Sequence, residues 1–128
     1  MPVTYEIDAD RSLIRTRCVG ATTFAEVMDH FRTLRSDPAI PEQMSVLLDL
    51  TEQTSAPETA QIREVAAETG RMRSRVRWGA LAVVAPRDVL FGMSRMLEML
   101  AEPHFTSTRV FRDRTPAEAW LASRGRAS

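Results

Sequence analysis

Ser45-Val46-Leu47-Leu48-Asp49-Leu50, running on through Thr51-Glu52-Gln53-Thr54 into Ser55-Ala56-Pro57-Glu58, is the stretch that decides the fold. Its first half is nearly all apolar, which is the pattern of a central parallel strand covered on both faces. Its second half is polar and leads into a helix. Ser55-x-x-Glu58, with Pro57 in the first turn, has the spacing of a capping box, so the second helix is expected to begin there. The loop carries four hydroxyls, Thr51, Thr54, Ser55 and Thr59, with no evident base beside them.

On the N-terminal side, Val3, Tyr5 and Ile7 alternate with Thr4, Glu6 and Asp8, a period of two that predicts a half-buried strand. Asp8-Ala9-Asp10-Arg11 turns the chain, and Ser12 to Val19 forms a second strand, giving an antiparallel hairpin closed by Gly20. Thr23-x-x-Glu26 is a capping box for a helix whose apolar positions include Phe24, Val27, Phe31 and Leu34. Ser36-Asp37-Pro38 stops it.

On the C-terminal side, Trp78 to Ala85 reads as another apolar strand and Val89 to Ala101 as a third helix. Thr108 to Arg112 is a fifth strand, and Thr115-Pro116-x-Glu118 reads as the capped start of a last helix. The order β-β-α-β-α-β-α-β-α predicts an α/β fold: a mostly parallel five-stranded sheet with one antiparallel N-terminal edge strand. Residues 1–124 are expected to form one domain, and 125–128 a tail.

Composition narrows the function. Of 128 residues, 44% are apolar and 27% charged, with 17 basic and 17 acidic side chains. No net field draws the molecule to nucleic acid or to a membrane. All the basic residues are arginine, so a Schiff-base or P-loop lysine is excluded. Cys18 stands alone, which excludes an intrachain disulfide and suits a reducing, cytoplasmic setting. No signal peptide or membrane span is evident, so stable membrane insertion is not expected.

This order resembles the SpoIIAA-like, or STAS-like, domains of anti-sigma factor antagonists, and more closely the small stand-alone members grouped with SEC14-type domains. The resemblance spans roughly residues 3 to 122. It rests on the hairpin and βα units, on Val46 to Thr51, and on Val83-Val84-Ala85-Pro86 with Phe91 to Met96. It implies a switch loop at the end of the central strand, here Asp49, Thr51, Thr54, Ser55, Glu58 and Thr59. Switchable members carry an aspartate-serine pair there, which a kinase phosphorylates. Pro57-Glu58 stands at those positions, so the phosphoacceptor is not matched.

Other chemistry is sparse. His30 is expected at the boundary of the first helix's apolar stripe, and His104 in a turn where it complements a helix C-terminus. Cys18 shares a strand face with Ile14 and Thr16, so it is expected in the core. No metal-ligand spacing or glycine-rich phosphate loop occurs, and no cofactor is expected. Arg71, Arg73, Arg75 and Arg77 make either a solvated helix end or an anion patch. The neutral chain, with few aromatics nearby, argues against nucleic acid.

The third helix has an expected inner stripe of Val89, Leu90, Met93, Met96, Leu97 and Leu100, with Phe91 and Met99 outside it. Phe91, Met93, Met96 and Met99 therefore mark a candidate second face: ordinary core, a homodimer contact, or the wall of an apolar-ligand pocket. The first expectation for function is a non-enzymatic module acting through contacts with a protein partner or itself. The second is an apolar-ligand or lipid-like binder with a pocket at the third helix. An enzyme ranks last.

Overall fold

The computed structural model describes residues 2–126, with side chains to 124. Strand β1 (Val3–Asp8) pairs antiparallel with β2 (Leu13–Gly20), placing Val3 opposite Cys18, Tyr5 opposite Thr16 and Ile7 opposite Ile14. Asp8 and a single 3-10 turn make the reversal, in which the Asp8 carboxylate accepts from the Arg11 N–H at 3.3 Å. Strands β3 (Gln43–Gln53), β4 (Arg77–Val84) and β5 (Ser107–Phe111) then add in parallel, so the sheet order is β1-β2-β3-β4-β5. The mostly parallel sheet with one antiparallel edge strand is as the sequence predicts.

Because each parallel strand is laid down beside the previous one in the same direction, right-handed crossovers put every intervening helix on one face. Helices α1 (Phe24–Ser36), α2 (Thr59–Arg71) and α3 (Asp88–Ala101) occupy that face, and α4 (Arg114–Arg126) alone covers the other. Residues 127–128 of the expected tail lie outside the described residues, and the helix itself continues through 126.

The two faces are built differently. Beneath α4, small residues on β4, Ala80 and Ala82, meet Ala117, which lets the helix approach closely around Leu13, Leu47 and Leu121. Arg15 anchors this layer. Its guanidinium donates twice to the Glu118 carboxylate, at 3.1 and 3.2 Å, and once to Asp8 at 3.2 Å. Glu118 holds the Arg15 guanidinium firmly charged. The expected Thr115–Glu118 capping box is thereby overturned: α4 already begins at Arg114, and Glu118 reaches across to β2. A geometrically sound pair with a partly buried arginine outcompetes a local backbone contact.

On the three-helix face, α2 lies close along α3, whereas α1 touches α2 and β1 only lightly and is tied to α2 by the Arg35–Glu68 ion pair. The α1 start is as expected: Thr23 Oγ1 accepts from the Glu26 N–H at 3.2 Å, and Glu26 accepts from the Thr23 N–H at 2.8 Å. Those bonds hold the exposed Glu26 carboxyl below its usual range.

Leu47 is 1% exposed at the sheet centre beneath α4. Leu47→Ala should cost about 2–5 kcal/mol through lost burial and a residual cavity. Val89→Ala, at a position 64% exposed, should change stability by less than about 0.5 kcal/mol. Urea unfolding of the two variants checks this contrast.

Candidate functional site

The loose approach of α1 to α2 leaves a cavity of about 450 Å³ above the sheet. Its floor is the inward row of the strands: Ile14, Thr16 and Cys18 on β2, Val46, Leu48 and Leu50 on β3, and Leu81 on β4. Helix α1 contributes Val27, His30 and Phe31, α2 contributes Ile62 and Val65, and α3 forms a side wall with Leu90, Met93 and Leu97. The period of two along β2 and β3 explains why one strand supplies both faces: Leu47 and Asp49 point to α4, while Val46, Leu48 and Leu50 point into the cavity.

The cavity reaches the carboxyl ends of β2 and β3, where the turn Thr22-Thr23 and the segment from Ala56 to Glu58 form its rim. Gly20 starts this rim. Its φ of +72° turns the chain out of β2, a conformation that costs a residue with a side chain more. Its carbonyl accepts from Thr54 N–H at 2.9 Å. Ser55 Oγ donates to the Thr22 carbonyl at 3.0 Å, Gln53 Nε2 donates to the Ser55 carbonyl at 2.8 Å, and Arg87 donates to the Gln53 carbonyl. The β3–α2 segment is thus strapped across to β2 and to the start of α3.

This arrangement overturns the Ser55–Glu58 capping box. Helix α2 begins at Thr59 with Glu58 as its N-cap, and the reciprocal contact runs from the Glu58 N–H to Gln61 Oε1 at 2.9 Å. The strand β3 extends to Gln53, so the turn shifts downstream and Ser55 serves the strap instead.

The expected switch-loop residues are dispersed. Asp49 accepts from both the N–H and the hydroxyl of Thr51 and lies 4.0 Å from Arg114, all on the α4 side. Ser55 and Glu58 belong to the cavity rim region, Thr54 is exposed, and Thr59 is the first, exposed residue of α2.

Three further expectations resolve as follows. The arginines do not converge: Arg71 pairs with Glu64 and Glu68, Arg75 donates to the carbonyls of Arg35 and Asp37 at 3.2 and 2.6 Å, and Arg73 and Arg77 point to solvent. The α3 stripe is rotated, with Val89 and Leu100 exposed rather than inward. The buried row is Leu90, Ser94 and Ala101, with Leu97 half-buried beside it, because small Ser94 and Ala101 let the helix settle close. Of the candidate second face, Met93 joins the cavity, Met96 is half-buried, Met99 is 71% exposed, and Phe91 is covered by the Arg112 guanidinium at 4.2 Å. His104 lies against Gly70, where an added Cβ would come within 2.7 Å of its ring.

Cys18 and His30 both line the cavity, and burial drives both towards neutrality. It pushes the Cys18 thiol up to about 11, helped by the charge of Asp49, and brings the His30 imidazole down to about 4. These shifts run opposite to those of a thiolate–imidazolium pair. His30 packs edge-on to Tyr5 at 5.4 Å between ring centroids, as an aromatic wall element. Tyr5 in turn donates to Asp37; burial and that bond raise the phenol to about 12. Among the described residues no cluster of acidic, histidine or cysteine side chains has metal-binding geometry, and no helix is long and apolar enough to cross a membrane.

No protein-family model matches the chain, and no curated protein does. A solved structure does: an uncharacterized protein of the DUF3478 family with a SpoIIAA-like fold, from Shewanella loihica PV-4. It superposes with a TM-score of 0.59 at 16% identity, over 93% of this chain and 91% of that one. The fold of this chain is SpoIIAA-like, as its hairpin and βα units imply.

The His30 shift has a consequence for stability. The unfolded chain takes up a proton near pH 6.5 that the folded chain resists until about pH 4. Stability contributed by neutral His30 is therefore complete above about pH 6.5 and falls as the pH drops towards 4. His30→Leu should remove a pH-dependent loss on the order of 2 kcal/mol across that window. Denaturant midpoints at a series of pH values check it.

Proposed function

We propose that this SpoIIAA-like domain is a non-enzymatic binding module that holds one small apolar molecule between α1, α2, α3 and the sheet. The observation that carries the reading is the cavity itself. Its volume lies within the range typical of ligand sites, and its wall is mostly hydrocarbon, with polar groups gathered at the Thr22–Glu58 rim and a few others, Thr16, His30, Thr69 and Ser94, set into the wall. A well-packed core of this size has few voids larger than a water molecule. A gap of about 450 Å³ bounded by three helices and the sheet is larger than such voids.

The chemistry of the wall supports binding over catalysis. Cys18 and His30 are both held uncharged, so neither is poised as nucleophile or acid. Burying an apolar ligand here gains roughly 25 cal/mol for each Å² of surface removed from water. The strap through Ser55, Gln53 and Arg87 gives the rim a fixed shape before anything binds.

A second reading, contact with a protein partner or a second copy, draws on the outer edge of α3. Val89, Met99 and Leu100 are exposed there, and methionine surfaces adapt to partners. That strip is narrow and lies outside the cavity, so the two readings separate experimentally.

Val65 lines the cavity from α2 and is only half-buried. Val65→Trp should fill the space and weaken binding of an uncharged naphthylamine dye at least about tenfold, with fluorescence enhancement as the readout. Val89→Ser should leave dye binding unchanged. An unfilled protein that gives no enhancement, or a Val65→Trp protein that binds as well, would contradict the reading.

A further inference from the structure

We propose that the cavity takes a single-chain amphiphile whose head is an uncharged hydroxyl, seated at Thr22, and that it turns away carboxylates and phosphates. This rests on the ligand-binding reading above.

Two observations at the rim carry it. The first is Thr22. The residue lines the cavity at the carboxyl end of β2, and its Oγ1, buried just behind that wall, has no hydrogen-bond partner among the described residues. A buried hydroxyl left without a partner costs free energy that a ligand group can return. Its neighbour Thr23 is already engaged in the α1 cap, and Ser55 in the strap. Thr22 is therefore the rim hydroxyl left over for a bound molecule.

The second observation is charge. Among the described residues lining the cavity, Glu58 is the only acid, and no arginine accompanies it. Arg87, at the start of α3, is held on the Gln53 carbonyl, and Arg17 lies in the opposite phase of β2 from Thr16 and Cys18, paired with Glu52. The start of α2, which would otherwise favour an anion, has the Glu58 carboxylate at its N-cap and a Gln61 contact closing it. An anionic head would meet a like charge with no counter-ion, whereas a hydroxyl meets only Thr22.

The shape of the floor sets the tail. The cavity runs along β2 from Cys18 to Ile14, four residues apart, a run of about 13 Å. An extended chain advances about 1.25 Å per carbon, the projection of a tetrahedral carbon–carbon bond on its axis, so that run accommodates roughly ten chain carbons. One saturated chain laid parallel to the strands, with its hydroxyl at the β2 end, satisfies both the wall and the orphaned oxygen.

The test is competition against the naphthylamine dye by decanol, decanoate and decyltrimethylammonium on the full chain. Decanol should displace the dye at least about tenfold more effectively than either charged analogue. Thr22→Val, isosteric and without the hydroxyl, should weaken decanol by about three- to tenfold more than it weakens decane, with both measured by displacement of the dye. Glu58→Gln, at an exposed position, should narrow the gap between decanol and decanoate.

Displacement by decanoate that equals decanol overturns the head-group assignment and leaves the cavity reading standing, and so does tighter binding of the ammonium. Wild-type affinity for decanol in Thr22→Val overturns the role of Thr22. Absence of displacement by any of the three, with the dye bound, overturns the inference. Absence of dye binding in the wild type overturns the cavity reading with it.

Discussion

The handedness of the crossovers is the constraint on which the rest of the molecule depends. With strands in the order β1 to β5, each right-handed connection returns its helix to the same face. Three helices must then share one side of the sheet while α4 has the other. On the α4 side, alanines on both elements close the gap, and the Arg15–Glu118 pair fixes the helix in place. On the three-helix side, α1 is drawn over the hairpin by Tyr5, Ile7 and Phe31, and α2 is drawn towards α3. The cavity is the space left by those two demands.

That space is chemically quiet. The strands line it mostly with Val, Leu and Ile, interrupted on β2 by Thr16 and Cys18, and the two titratable groups buried in its wall, Cys18 and His30, are kept neutral by the same burial, while Glu58 sits exposed at the rim. Polar chemistry is displaced to the ends of the strands, where backbone carbonyls of Gly20, Thr22 and Gln53 are all engaged by the β3–α2 segment or by Arg87. Asp49, the charged residue of the central strand, is turned away towards Arg114. The sheet therefore separates an ionic side, carrying Arg15, Asp49 and Glu118, from a hydrocarbon side.

The fold was legible in the sequence because it depends on periodicity. Val3 to Asp8 alternates, Val46 to Leu50 does not, and that difference alone distinguishes an edge strand from a central one. Helix starts were less legible, since a hydroxyl three residues before a carboxylate also occurs where each side chain has a better partner. Thr23–Glu26 caps a helix, while Ser55 goes to Thr22 and Glu118 to Arg15. The α3 stripe was misplaced because hydropathy favours Val89 and Leu100, whereas close packing selects Ser94 and Ala101. The cavity was the least legible feature. Its lining residues are those of any core, and only the distance between helices far apart in sequence makes it hollow. An unpartnered Thr22 hydroxyl is likewise a property of surroundings and has no local signal.

The most direct test of the account is a crystal structure of the protein with a terminally brominated decanol, phased to show the bromine. The account predicts a bromine peak inside the cavity near Ile14 and Phe31, with the hydroxyl density at Thr22. A cavity filled by rearranged side chains, with bromine found only along Val89 and Met99 on the outside of α3, would contradict it.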